Sequence, residues 1–161
     1  MDRLFFFILL GMGFPTLLFG QEAAECSPPF EAIGGHCIFV DSFSTGTWYE
    51  MSEFCGSLNA QLVKLDDANL FHDIVVYIHA NGLENTDYWI GATKEGHDPI
   101  WRWEDGSNVK MGTPYWGYKR NDYQMPVRTS ILGCVMLDSL DYFYFSQVSC
   151  QIAKNVICQF S

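Results

Sequence analysis

The sequence predicts one α+β domain, and three observations carry that prediction. Two amphipathic helical segments occupy residues 47–82. Beyond residue 88 come short aromatic or β-branched segments broken by glycine and polar turns. Six cysteines lie downstream of an apolar N-terminal run, as expected of a small disulfide-stapled domain.

The N-terminal "MDRLFFFILLGMGFPTLLFG" has a charged start at Arg3, an apolar core from Leu4 to Leu10 and a small residue, Gly20, at a plausible cleavage point. Residues 1–20 are therefore expected to be a signal peptide and 21–161 a single domain. Gly11, Gly13 and Pro15 interrupt the run short of the ~20 apolar residues that a membrane span needs, and no second run approaches that length. The expected location is secreted and extracellular, with no membrane insertion.

"CSPPFEAIGGHCIFV" places Pro-Pro and Gly-Gly turns around a short strand ending in Cys37-Ile38-Phe39-Val40. Thr47, with Glu50 three residues on, forms a capping box. Trp48, Met51, Phe54, Cys55 and Leu58 then recur at helical spacing. In the second helix, Leu70, Phe71, Ile74, Val75 and Ile78 make the apolar stripe. Asp66 and Asp67 suit its positive end, and Asn81-Gly82 terminates it. "YWIGA", "WRWEDGS", "GCVML", "YFYFSQVSC" and "NVICQF" read as strands and turns. The stretch between Gly106 and Gly133 lacks regular pattern, and a loop that long in a compact domain points to function or disorder.

The chain of 161 residues carries 19 acidic and 9 basic side chains, a net charge of −10. Such a surface repels phosphate backbones, so nucleic acid is not an expected partner. No Asn-x-Ser/Thr acceptor occurs, so N-glycosylation is not expected. Catalysis finds little support. His36, His72, His79 and His97 gather no third ligand, and neither a Gly-x-Ser-x-Gly nor a glycine-rich phosphate loop is present. Six cysteines allow 15 pairings, among which spacing alone does not choose.

Three motifs occur in order: Trp89-Ile90-Gly91, the turn Trp101-Arg102-Trp103-Glu104-Asp105-Gly106, and "SCQIAKNVICQF" with seven residues between its cysteines. With the two capped helices upstream, they resemble the C-type lectin-like domain over about Cys26–Phe160. "KMGTPYW" further resembles secreted single-domain lectins of crustaceans and other arthropods. The resemblance implies two helices packed on short antiparallel sheets, a long loop and three disulfides, Cys26–Cys37, Cys55–Cys158 and Cys134–Cys150. The middle bridge would close a loop of about 100 residues, which chain entropy values at ~4.7 kcal/mol.

The family's sugar site is a calcium site. Two oxygen-bearing side chains flank a cis-proline, a glutamate lies two before the next cysteine, and an Asn-Asp pair lies four and three before the one after. Here Pro126 lies eight before Cys134, as the family requires, but its flanks are Met125 and Val127. Leu132 takes the glutamate position, Ser146-Gln147 the Asn-Asp position, and Phe145 the preceding tryptophan. None of these is a carboxylate, and calcium needs ~6–8 oxygen ligands. No cofactor is therefore expected. Asp138 and Asp141 are the alternative place for an ion, with a solvated face as the commoner reading, and a shifted alignment would bring in Asn121 and Asp122.

In the long loop, Tyr115, Trp116, Tyr118 and Tyr123 crowd around Lys119-Arg120. Trp116 reads as a buried anchor. Tyr118, Lys119, Arg120 and Tyr123 are the candidate binding residues, because tyrosine offers an apolar body and a polar tip. The resemblance implies a recognition protein of innate immunity that binds microbial or viral surface glycans or glycoproteins. The alternative is a protein-binding module with no carbohydrate recognition. Neither ligand identity nor oligomeric state follows from the sequence.

Overall fold

A computed structural model describes residues 25–94, 99–111, 115–119, 123–126 and 133–160. The expected leader, Arg120, Asn121, Asp122, Val127, Leu132 and His97 lie outside these residues. So do the side chains of Lys119 and Tyr123.

In chain order the elements are β1 (Glu31–Ile33), β2 (His36–Gly46), α1 (Trp48–Ser57), β3 (Ala60–Leu62), α2 (Ala68–Ala80), β4 (Tyr88–Lys94) and β5 (Arg102–Trp103). Then come β6 (Tyr118–Lys119), β7 (Tyr123–Gln124), β8 (Gly133–Asp138), β9 (Tyr144–Val148) and β10 (Lys154–Phe160). The main sheet runs β1-β2-β10-β4-β8-β9, with β3 added to β10 and β5 to β4; β6 and β7 form a separate ribbon. Pairing is antiparallel except between β10 and β4, where Asn155 and Val156 lie beside Tyr88 and Trp89 in parallel. The first long strand, β2, precedes both helices in sequence yet pairs with the last strand, so the two ends of the domain close on each other.

Both helices start where the sequence places them. Thr47 caps α1 in a full capping box, its hydroxyl accepting from the Glu50 amide while the Glu50 carboxylate accepts from the Thr47 amide. Asp67 caps α2 through the Asn69 amide at 2.7 Å. α1 buries Trp48, Met51 and Cys55, and α2 buries Leu70, Ile74 and Ile78, with Phe71 and Val75 packed at the margin. The expected bridges are all present, Cys26–Cys37, Cys55–Cys158 and Cys134–Cys150.

Trp89-Ile90-Gly91 lies fully buried at the centre. The Trp89 indole donates to the Gly46 carbonyl, and the Trp48 indole donates to the Ile90 carbonyl, each at 2.9 Å. Gly91 permits a close approach, since a Cβ there would meet the Leu62 carbonyl oxygen at 2.9 Å.

Candidate functional site

The long loop is fixed to the sheet by aromatic packing. Trp116 is buried, with its ring 5.4 Å from Trp101 and 5.6 Å from Phe145. Tyr115 packs on Phe71 and Phe145, and burial, with the nearby Asp67 and Asp66, pushes its phenol above the usual range. The backbone joins in: the Gly117 amide donates to the Phe145 carbonyl at 3.0 Å and the Met125 amide donates to the Gly117 carbonyl at 2.9 Å. This part of the loop is thus an extra layer against edge strand β9.

From that anchor Tyr118 projects outward, 64% exposed. Its amide donates to Asp141 Oδ2 at 3.1 Å. A Cβ on Gly117 would sit 2.1 Å from that oxygen, so only glycine lets the β8–β9 turn close over the loop. Of the four candidate binding residues, the structure therefore places Tyr118 on the surface. Lys119 and Tyr123 are paired in register in the β6–β7 ribbon.

At the family's sugar position, the Met125–Pro126 peptide is cis, as the resemblance implies. Met125 does not face outward. It is buried, and joins Trp101, Trp116 and Phe145 in the core. Ser146 and Gln147 lie on β9 opposite Met136 and Val135, both half-buried. The donors at the described positions are thus one hydroxyl and one amide, a set that does not fit a calcium ion with its several carboxylate and carbonyl oxygens.

The alternative ion position has a local explanation. Asp138 Oδ1 accepts from the Leu140 amide at 3.0 Å and caps a 3₁₀ turn at Ser139–Asp141. Asp141 holds the loop through Tyr118. Among the described residues no group of three His, Cys, Asp or Glu side chains gathers around a metal-sized space. His72 pairs with Asp73, and His79 packs edge-on against Phe143.

Glu104-Asp105 forms the expected turn and does more than turn. Glu104 Oε2 accepts from the Leu62 amide at 2.7 Å, and its other oxygen accepts from the Ser52 hydroxyl, which ties the turn to α1 and β3. Asp105 binds Lys64 at 2.8 Å. That bond, together with the Ser107 hydroxyl and amide, holds the Asp105 carboxyl down at about 2. Nothing in the spacing announces these cross-links, because the partners lie 41 to 52 positions away. A surface cavity of about 420 Å³ opens elsewhere, lined by Pro28, Pro29, Phe30, Leu58 and Phe160, and none of the candidate residues reaches it.

The model of the Lectin C-type domain matches residues 44–160. Human C-type lectin domain family 1 member B is 31% identical over 90 residues, which are 56% of this chain and 36% of that protein. Chicken hepatic lectin is 24% identical over 90 residues, again 56% of this chain and 41% of that protein. The chain thus spans well under half the length of either relative. Among solved structures, the SPL-1–GlcNAc complex superimposes with a TM-score of 0.67 at 25% identity, covering 85% of this chain and 96% of that one. Human lithostathine gives 0.68 at 22% identity, covering 88% and 94%. The fold, the bridges and the matched span together make this chain a member of the C-type lectin domain family.

Proposed function

We propose that this chain is a secreted recognition protein that binds microbial or viral surface glycans or glycoproteins through the loop face around Tyr118, without calcium at the family's sugar position. One observation carries the reading: the loop is pinned on Trp116 and presents Tyr118 to solvent, while the metal position beside it is filled by the buried Met125. A rigid aromatic platform packs on the C–H face of a pyranose and costs little entropy on binding. One similar solved structure is a complex with GlcNAc and another, of murine dendritic cell inhibitory receptor 2, a complex with an N-glycan, which supports a sugar ligand. The extracellular setting rests on reading residues 1–20 as a leader, and the immune role only on the resemblance of "KMGTPYW" to arthropod lectins.

Glycan-array binding with and without EDTA tests it. Calcium-independent signal that falls on Tyr118→Ala, with Tyr123→Ala and Arg120→Ala adding to the loss, supports the proposal. A blank array, with binding retained to a glycan-free protein, replaces it with the protein-binding module. Unchanged binding after all three substitutions places the active surface elsewhere.

A further inference from the structure

The most exposed large apolar side chains among the described residues are Phe43 at 93%, Leu140 at 82% and Tyr142 at 82%. All three stand at one end of the main sheet. Gly46 on β2 pairs with Lys154, Asn155 on β10 with Tyr88, Tyr88 on β4 with Leu137, and Asp138 on β8 with Tyr144. Phe43 lies where β2 bulges away from β10, and Leu140 and Tyr142 lie in the turn after Asp138. Three to four strand spacings separate the two tips, roughly 14–19 Å, the width of a compact contact patch.

Neither tip is slack. Buried Asp41 accepts from the Phe43 and Ser44 amides at 2.8 and 3.1 Å. The Ser44 carbonyl accepts from Asn155, whose Oδ1 accepts from the Thr86 hydroxyl, and neighbouring Asp87 accepts from both Lys154 and the Ser139 amide. A string of polar contacts thus runs from one tip to the other. In the turn, Tyr142 and Phe143 hold φ of 52° and 62°, a left-handed pair that favours glycine or asparagine. Phe143 has a packing reason, being buried against Tyr88 and His79. Tyr142 has none, since its ring is in solvent. Strain kept at a residue with no core role points to a role at the surface.

The electrostatics choose the partner. Asp138 and Asp141 lie in this turn and Glu84 beside Tyr88, whereas Lys154 is already paired with Asp87 and Asp41 is buried, in a chain of net charge −10. Two copies would repel through such a face, whereas guanidinium groups stack on tyrosine and pair with carboxylates. We infer that the Phe43, Leu140 and Tyr142 end of the sheet is a second contact surface, which docks an arginine-bearing face of a protein partner. It adjoins the proposed ligand loop, where Asp141 accepts from the Tyr118 amide, but it uses different side chains.

The test is an NMR titration of the isotope-labelled full chain with acetyl-Gly-Arg-Gly-Arg-Gly-amide, and with the glutamate and lysine versions of that peptide. The arginine peptide should shift the amides of Phe43, Ser44 and Leu140–Tyr144 saturably, more than the lysine peptide and far more than the glutamate peptide. Phe43→Ser and Tyr142→Asn should each weaken that binding by about fivefold or more, as expected of hot-spot side chains, with the spectrum otherwise native. Tyr118→Ala should leave it unchanged. Equal shifts from all three peptides, shifts confined to other residues, or undiminished binding by both variants would overturn the inference. So would concentration-dependent shifts of these amides without peptide, which identify a second copy as the occupant, or equal shifts with a glycan alone.

Discussion

Lys154 Nζ lies 2.6 Å from Asp87 Oδ2, with both side chains mostly buried. The pair joins the first residue of β10 to the lead-in of β4, the point where the one parallel pairing of the sheet begins. Burial alone would push the Asp87 carboxyl up. The Lys154 ammonium and the Ser139 amide and hydroxyl outweigh it and hold the carboxyl below its ordinary value.

A carboxyl depressed in the folded state contributes stability above its unfolded pKa of ~3.9, and that contribution is lost as pH falls through the folded value. Asp87→Asn should therefore destabilise at neutral pH by about 1–3 kcal/mol, between the exposed and fully buried limits. Its stability should also fall less steeply than wild type below about pH 4. Chemical denaturation across pH reads both effects. A uniform offset at every pH would show that Asp87 acts through shape and not charge.

The bridges differ in what they close. Cys55–Cys158 spans 103 positions, Cys134–Cys150 spans 16 and Cys26–Cys37 spans 11. In the chain-entropy picture the long one is worth ~4.7 kcal/mol and the short ones nearer ~3. Replacing Cys55 and Cys158 together by alanine should lower the melting temperature most, and replacing Cys26 and Cys37 least. Mass mapping of non-reduced peptides should return these three pairings. A crossed pair would refute the register of β10 against α1.

Much of the frame is legible in the residues, because local chemistry decides it. Thr47 and Glu50 are one turn apart, so their reciprocal bonds can be read directly. The apolar spacing in α2 gives Leu70, Phe71, Ile74, Val75 and Ile78, of which Leu70, Ile74 and Ile78 are buried and Phe71 and Val75 in part. Trp116 reads as an anchor and is one. What is hidden is non-local or runs against propensity. The docking of Glu104 onto Ser52 and Leu62 depends on folded geometry. The left-handed Tyr142-Phe143 turn is carried by residues that turn preferences would not choose. Met125 occupies the frame position of a metal ligand, but its burial in the core follows from the folded packing and not from local spacing.

That burial sets the calcium prediction. Neither Met125 nor Ser146 nor Gln147 offers a carboxylate, so millimolar calcium should leave the melting temperature unchanged at this site, and ligand binding should survive EDTA. Met125→Glu should not restore a metal site. It places a charge at a buried position of the hydrophobic core and should cost several kcal/mol unless the group protonates. Calorimetric titration with calcium and thermal melts with EDTA measure these outcomes. A rise in melting temperature with calcium would point to an ion held elsewhere on the chain.

Tyr142 gives a prediction with the opposite sign to most surface substitutions. Its φ of 52° and ψ of 32° are left-handed, a conformation that costs an ordinary L residue ~1 kcal/mol or more and glycine almost nothing. Its ring is 82% exposed, so removing it forfeits little packing. Glycine also carries extra unfolded-state entropy, which offsets part of the gain, whereas asparagine tolerates the left-handed region without that penalty. Tyr142→Asn should therefore stabilise the domain by about 0.5–1 kcal/mol, and Tyr142→Gly by less. Phe143→Asn, at a similar φ but with a buried ring, should destabilise by about 3–5 kcal/mol through the cavity left beside Tyr88 and His79. Urea unfolding of the three variants separates the two terms. If Tyr142→Asn destabilises, the ring contributes to folding and the strain at 142 needs no surface role to explain it.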